Sequence, residues 1–197
     1  MQQRHDTIIV TGGSTGIGAA ICRHLLDEGH AVVNLSRRAL ELEHPALHNI
    51  ELDLADRART AATAVEVAGK FRVTGLVHNA GLIRPALLEA VALDDLDYLT
   101  QVHIGAAISL GQAVIPGMRQ RGFGRIILIT SRAALGLQTR TCYSATKSGM
   151  MGMARTWALE LGAYGITVNT VAPGPIAATE MFHEVVPENS PQMEQMA

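Results

Sequence analysis

The sequence predicts an α/β fold in which a doubly wound parallel sheet is covered by helices on both faces. Short β-branched runs alternate with longer helix-like segments, and 48% of the residues are hydrophobic while only 4% are aromatic. Both features are typical of parallel strands that are buried on both sides. The 197 residues suffice for one large domain or two small ones. Since no linker or repeat precedes residue 172, we predict a single domain over 1–197.

Six strands are predicted from their apolar runs: TIIVT at 7–11, AVVNLS at 31–36, HNIEL at 48–52, TGLVHN at 74–79, RIILIT at 125–130 and ITVNTV at 166–171. Helix-like segments lie between them at 16–29, 56–69, 95–121 and 142–163. Connections between parallel strands are right-handed, and ligands bind at the carboxyl ends of such strands. The order of the elements therefore predicts a ligand crevice at that edge of the sheet.

Composition argues against several classes of function. A formal net charge of −2 gives no reason to expect nucleic acid or an anionic membrane as partner. The two cysteines, Cys22 and Cys142, both fall in predicted helices, so we expect no disulfide and a cytoplasmic location. No signal peptide or membrane span is recognisable. The eight histidines show no metal-ligand spacing, and we predict no metal site.

The segment TGGSTGIG follows the first predicted strand directly and begins a helix. We expect Gly12 to allow a tight turn, Gly16 to let the backbone approach a phosphate, and Gly18 to let the helix pack close to the sheet. The free N–H groups at the helix N-terminus would then bind a pyrophosphate. In this strand–loop–helix context the glycines predict a dinucleotide site of the Rossmann type.

The spacing G-x-x-x-G-x-G resembles that of the short-chain dehydrogenase/reductase family, and later motifs resemble the same family in the same order. These are LDL at 52–54, NAG at 79–81, Ser131 with Tyr143 and Lys147, and NTVAPGPI at 169–176. Among the members, the chain resembles 3-oxoacyl-ACP reductases. The resemblance implies cofactor contacts at Gly12, Ser14, Thr15, Gly16, Ile17, Gly18, Asp53, Leu54, Asn79, Ala80, Gly81, Tyr143, Lys147, Pro173, Gly174, Ile176 and Thr179.

The end of the second predicted strand indicates which nicotinamide cofactor is preferred. Ser36 is followed by Arg37 and Arg38, and the carboxylate that would bind a ribose 2′-hydroxyl is missing. Two guanidinium groups suit a 2′-phosphate, so we predict NADP(H), with NAD(H) still possible. The alternative is that both arginines are solvated surface charges.

Tyr143 and Lys147 lie four residues apart in a predicted helix, which stacks them on one face. A cation about 4 Å from a phenol contributes roughly 4 kcal/mol at an effective dielectric constant near 20, enough to lower a tyrosine pKa substantially. We therefore expect Lys147 to acidify Tyr143. The resemblance implies that Tyr143 is the general acid/base and that Ser131 binds the substrate oxygen. Thr130 is the adjacent alternative to Ser131.

His103 lies where the family has an asparagine that holds a water in the proton path to the lysine. An imidazole could hold that water and take part in catalysis, since it both donates and accepts hydrogen bonds. The alternative is a histidine whose hydrogen bonds are satisfied within the helix. Both interpretations are open at this point.

The resemblance also implies a further helix and a seventh strand, which this sequence lacks. We therefore expect 175–197 to be a mobile substrate lid or a truncated end, with the C-terminal strand missing. Together these features predict an NADP(H)-dependent oxidoreductase of small-molecule carbonyl or secondary alcohol substrates. The family resemblance implies a homodimer or homotetramer. The alternative function is a non-catalytic NADP(H)-binding sensor or scaffold.

Overall fold

The structure, a computed structural model, describes residues 6–176, and these contain a six-stranded sheet whose strands are all parallel. The strands are β1 (Thr7–Thr11), β2 (Ala31–Ser36), β3 (Leu47–Glu51), β4 (Val73–His78), β5 (Gly124–Ile129) and β6 (Ile166–Val171). Their order in the sheet is β3-β2-β1-β4-β5-β6. The predicted strands are thus present with shifts of a single residue, and the doubly wound α/β class is confirmed.

The helices are α1 (Gly16–Asp27), α2 (Arg57–Lys70), α3 (Leu93–Thr100), α4 (Ala106–Arg121) and α5 (Thr141–Leu161). The predicted helix over 95–121 is not uniform. A π-helical segment, Gln101–Gly105, separates α3 from α4 while the backbone stays helical throughout. Such wide turns are often found at functional sites. This one places His103 at its centre.

Alternate residues of each strand face opposite sides of the sheet, and two apolar cores result. Ile9 packs with the large core on one side, which includes Met150 of α5. Its neighbour Val10 packs with Cys22 and Leu26 of α1 on the other side. Burial on both faces explains why the central strands read as continuous apolar runs.

The chain changes direction in the sheet at β1, since β2 lies on one side of this strand and β4 on the other. The loops that follow β1 and β4 therefore separate and leave a crevice at the carboxyl ends of these strands. The glycine loop and Asn79 are both positioned at this crevice by the strand that each one follows.

Two of the predictions are limited by the range of the structure. Thr179 and nearly all of the 175–197 segment lie outside the described residues.

Among residues 6–176, no helix is long and apolar enough to cross a bilayer, and no three metal-ligating side chains form a cluster.

Candidate active site

A cavity of about 410 Å³ opens at the carboxyl edge of the sheet. The side chains and loops around it come from the ends of β1, β2, β4 and β5 and from the start of α5. Its lining includes most of the residues predicted from the sequence: Gly12, Ser14, Thr15, Gly16, Ile17, Ser36, Arg37, Arg38, Asp53, Leu54, Asn79, Ala80, Gly81, Ser131, Tyr143, Lys147, Pro173, Gly174 and Ile176. Gly18 and His103 lie outside this lining.

The glycine loop is shaped by two close approaches. Gly12 has φ +65°, and a Cβ placed there would lie 2.8 Å from Ala80 Cα. A Cβ on Gly18 would lie 2.0 Å from the carbonyl oxygen of Gly12. Gly18 thus lets α1 pack closely against the loop. The N-terminus of α1 carries no side-chain cap and no acidic residue, so its first N–H groups are suited to a phosphate.

Asn79 braces this loop from the neighbouring strand. Its Nδ2 donates to the carbonyl oxygens of Thr11 and Gly12 at 3.1 and 3.0 Å. The hydroxyl oxygen of Thr11 accepts the N–H groups of Asn79 and Ala80 at 3.0 and 2.9 Å. The predicted cofactor contact at Asn79 is therefore also a positioning contact that joins the ends of β1 and β4.

The charges around the cavity are mostly positive. Arg37 and Arg38 are exposed and follow β2, while the hydroxyl of the buried Ser36 donates to Asn34 Oδ1 at 2.7 Å. Asp53 is the one carboxylate among the described lining residues, and its Oδ1 accepts the N–H of Ala55 at 2.9 Å. A positively lined cleft is suited to a phosphorylated ligand.

The choice between Ser131 and Thr130 is decided by their hydrogen bonds. The Thr130 hydroxyl is buried and donates to the carbonyl oxygen of Val171 at 3.1 Å. The Ser131 hydroxyl lowers the pKa of Tyr143 by hydrogen bonding to it, although burial has the larger effect on that pKa. Ser131 therefore provides the hydroxyl beside the phenol.

The expected acidification of Tyr143 is wrong for the protein without ligand. Its side chain is only 6% exposed, and burial raises its pKa above 10 because the phenolate is poorly solvated. Ser131 and the guanidinium of Arg140 oppose this effect. The Nζ of Lys147 lies over the tyrosine ring, 5.6 Å from its centre. In this state the phenol form predominates at neutral pH.

Lys147 is itself strongly affected by its surroundings. Its side chain is 2% exposed, and Nζ donates to the carbonyl oxygen of Ile129 at 2.8 Å. Burial lowers its pKa to about 7 because no carboxylate compensates for the lost hydration within the described residues. Near neutral pH this amine is therefore divided between its charged and neutral forms.

His103 is fully buried, and both of its ring nitrogens have protein partners. The N–H of Leu82 donates to Nε2 at 3.3 Å. In a neutral ring, Nδ1 then carries the proton and donates to the Thr146 hydroxyl at 2.8 Å. Burial lowers the pKa of His103 well below its usual value, and the charge of Lys147 adds to this. The ring is thus satisfied by Leu82 and by Thr146 of α5 rather than within its own helix, and the predicted water-holding role of His103 stays a prediction.

The sequence model of the short chain dehydrogenase family matches residues 6–190. The chain belongs to this family. It is 37% identical to the short-chain reductase protein NovJ of Streptomyces niveus, over 92% of this chain and 73% of that protein. It is 33% identical to the 3-oxoacyl-[acyl-carrier-protein] reductase FabG of Thermotoga maritima, over 88% of this chain and 75% of the relative.

A similar solved structure is that of a putative NAD(P)-dependent gluconate 5-dehydrogenase from Beutenbergia cavernae with bound NADP at low occupancy. The TM-score is 0.86 and the identity 31%, and the match covers 91% of this chain and 76% of the other. The chain thus spans about three-quarters of the length of these short-chain dehydrogenases. Its family supports oxidoreductase activity on alcohol or carbonyl groups.

Sequence reasoning missed two polar side chains of this short-chain dehydrogenase, one outside the cavity lining and one within it. His78 ends β4 and is completely buried, and burial lowers its pKa to about 3. Because the Thr11 hydroxyl oxygen accepts two N–H groups, its proton is directed to His78 Nδ1 at 3.1 Å. His78 Nε2 has no hydrogen-bond partner among the described residues. Arg140, the second missed residue, lines the cavity beside Tyr143.

Some signal for both residues was present in the sequence. His78 directly precedes Asn79 at a strand end, where polar side chains gather in this fold, and Arg140 comes three residues before Tyr143. Neither position shows by itself that its side chain is buried. That information depends on segments that are distant in the chain.

Proposed function

We propose that this short-chain dehydrogenase is an NADP(H)-dependent oxidoreductase that interconverts a carbonyl group and a secondary alcohol, with Tyr143 as general acid/base. One observation carries the proposal: Ser131, Tyr143 and Lys147 share a single cavity with the glycine loop and with Arg37. A proton donor, a cation and a phosphate-binding loop are thus within reach of one dinucleotide and one small substrate.

The residues fit a dinucleotide at this place. The uncapped N-terminus of α1 and the loop around Gly16 are suited to the pyrophosphate, and Arg37 and Arg38 to a 2′-phosphate. When bound, NADPH would supply the hydride that reduces the carbonyl carbon. The family resemblance implies that Lys147 also contacts the nicotinamide ribose.

In the reduction direction Tyr143 donates its proton to the carbonyl oxygen, and burial keeps the phenol in the form that this step requires. Ser131 donates a hydrogen bond to the same oxygen and positions it. Lys147, held by the Ile129 carbonyl, places its amine over the tyrosine ring and provides positive charge there when it is protonated. Oxidation of the alcohol reverses the proton transfer.

The test of this function is the oxidation of NADPH with a panel of ketones, oxo acids and 3-oxoacyl thioesters, run beside a calorimetric titration with NADPH. We expect binding, together with turnover of at least one carbonyl class. Binding without turnover on any member of the panel would contradict the enzyme proposal and support a sensor or scaffold. That second candidate is favoured by one observation, the engagement of both ring nitrogens of His103 by the protein.

The cofactor preference depends on the charges that follow β2. We expect Arg37→Ala to lower kcat/KM for NADPH about 10- to 100-fold, the value of a hydrogen bond to a charged group, and to change kcat/KM for NADH little. Steady-state kinetics with both cofactors measures the ratio. Arg23→Ala, an exposed arginine on α1 outside the cavity lining, is the control. An unchanged NADPH-to-NADH ratio in Arg37→Ala and in the Arg37→Ala/Arg38→Ala double variant would contradict the NADP(H) preference.

The assembly and the location of the protein stay predictions. A homodimer or homotetramer is implied by the family resemblance, and a cytoplasmic location by the cysteine usage. The proposed substrate is a small molecule with a carbonyl or secondary alcohol group.

A further inference from the structure

Arg140 is a buried cation within the proposed active site. It directly precedes α5 and lies three residues before Tyr143, with a side chain that is only 6% exposed. It lines the same cavity as Ser131 and Tyr143. Burial raises the pKa of Tyr143 and the charge of the guanidinium lowers it, so the two side chains interact across this shared lining.

No carboxylate of the described residues pairs with this guanidinium. The ion pairs among them join Arg72 to Asp6 and Arg84 to Asp95. The hydrogen bonds of the Arg140 side chain run from Nη1 to the carbonyl oxygen and the hydroxyl of Thr139. A desolvated guanidinium without a counter-ion is unfavourable in a folded protein. Burial accordingly lowers the pKa of Arg140.

The backbone next to Arg140 adopts a conformation that is rare for its residue type. Thr139 has φ +63°, which is unusual for a β-branched side chain. The conformation is held by a hydrogen bond from the N–H of Ala86 to the Thr139 carbonyl at 3.0 Å and by one from the Arg140 N–H to Leu137 at 3.1 Å. Outliers of this kind concentrate at functional sites. Here the outlier lies next to the residue that lines the cavity.

Apolar side chains also surround Tyr143. Leu82, Ile83 and Ala133 belong to its apolar cluster and line the cavity. Lys147 and the exposed Arg132 line the cavity too, but Arg140 is the buried one among the arginines of the described lining. An apolar wall beside a buried guanidinium is suited to a short aliphatic chain that ends in an anionic group. A guanidinium binds a carboxylate through two parallel hydrogen bonds, which also fixes the orientation of the substrate.

We propose that Arg140 is a specificity-determining residue that pairs with a carboxylate of the substrate, so that the enzyme acts on short 2-oxo or 3-oxo acids and the corresponding hydroxy acids. This inference rests on the proposed function. In the reduction, the carbonyl carbon gains the hydride of the reduced nicotinamide, and its oxygen gains the Tyr143 proton. NADPH is oxidised to NADP⁺, and the carboxylate held by Arg140 does not react.

The experiment compares 2-oxo and 3-oxo acids with their methyl esters, a 3-oxoacyl thioester and a phosphate-bearing ketone. For the wild-type enzyme we expect kcat/KM to be about 10- to 100-fold higher for the acids than for their esters. Arg140→Gln should remove this difference mainly by raising KM for the acids, and it should change the ester values less than about threefold. Arg140→Lys should restore part of the preference. Arg155→Gln, an exposed position on the same helix, is the control.

A second measurement does not require turnover. Calorimetry should detect malonate binding to the NADP⁺-loaded protein, and Arg140→Gln should weaken it about 10-fold or more. Circular dichroism establishes that the variants are folded. If Arg140→Gln does not fold, Arg140→Lys takes its place in both measurements, with a smaller loss expected.

Two results obtained with an active enzyme would overturn the inference and leave the proposed function standing. Neutral ketones or thioesters could be reduced as well as the acids, with Arg140→Gln lowering all rates equally; the oxidoreductase would then stand without the carboxylate site. An Arg140-dependent preference for the phosphate-bearing ketone would assign the guanidinium to phosphate. If no carbonyl is reduced, the proposed function fails, but malonate binding still tests the carboxylate site. Malonate binding that is weakened in Arg140→Gln would support the site. Absence of malonate binding to the wild-type protein would overturn it.

Discussion

Replacing Tyr143 by phenylalanine is expected to lower kcat for carbonyl reduction about 1,000-fold, within the range that general acid catalysis contributes. The ring would keep its edge-on contact with His103, whose centre lies 5.7 Å from that of Tyr143. Only the hydroxyl is lost, so the fold and the cavity should be retained. NADPH affinity should fall by less than about tenfold, the value of a single hydrogen bond. Steady-state kinetics and a calorimetric titration measure the two quantities separately.

Tyr164→Phe is the matched control, because this tyrosine is 43% exposed and lies outside the cavity lining. Full turnover by Tyr143→Phe would show that another group protonates the substrate oxygen.

Comparison of the wild-type protein with Tyr143→Phe also measures the pKa of Tyr143. In the protein without cofactor, the phenolate absorbance that Tyr143→Phe lacks should develop above pH 10, since burial raises this pKa above its ordinary value. Development below pH 10 would contradict the burial argument.

Replacing Lys147 by methionine is expected to have opposite effects on activity and stability. Activity should fall about 100-fold or more, because the cation beside the phenol is removed. The free energy of unfolding near neutral pH should rise, since methionine fills a similar volume without a buried amine. The difference between a pKa of 10.5 in the unfolded chain and about 7 in the fold corresponds to about 5 kcal/mol. Loss of the hydrogen bond to Ile129 offsets part of it, leaving about 2 kcal/mol.

The stability effect of Lys147 depends on pH, and its direction follows from the two pKa values. Between pH 7 and 10.5 the unfolded chain binds a proton at Lys147 that the folded protein does not. The stability of the wild-type protein therefore rises with pH across this window, and the contribution of Lys147 is constant below it. The advantage of Lys147→Met should be largest near pH 7 and should shrink as the pH approaches 10. Denaturant unfolding at several pH values measures it.

Lys70→Met provides the control, because Lys70 is exposed at the end of α2. It should leave activity unchanged and should alter the unfolding free energy by less than about 0.5 kcal/mol. A Lys147→Met protein that is less stable than the wild type at neutral pH would show that the buried amine stabilises the fold. The lowered pKa would then have to be abandoned.

Much of the architecture followed from local patterns. The central strands β1, β2 and β4 are apolar runs that are buried on both faces, and the glycine loop directly follows the first of them. These relations are local in the chain, so β1 and α1 could be predicted within two residues. The family resemblance pointed to Ser131, Tyr143 and Lys147 together, and all three line one cavity in the structure.

The electrostatics of the site could not be obtained in this way. The spacing of Tyr143 and Lys147 correctly placed them on one helix, but it led to the wrong direction for the tyrosine pKa. Helix geometry gives the separation of two side chains, whereas a pKa also depends on how completely both are removed from water. That burial is produced by distant segments, such as the end of β5 that holds Lys147.

The sequence by itself determined the parallel sheet and the position of the glycine loop after its first strand, because both depend on periodicity or spacing along the chain. Tyr143 and Lys147 were singled out by the family resemblance. Only the tertiary structure decided that His103 is engaged through Leu82 and Thr146, that Ser131 rather than Thr130 serves the phenol, and that Arg140 is a buried cation without a carboxylate among the described residues. These properties arise where segments far apart in the chain meet and exclude water. Desolvation and hydrogen-bond satisfaction are set by that packing, and no local pattern encodes them.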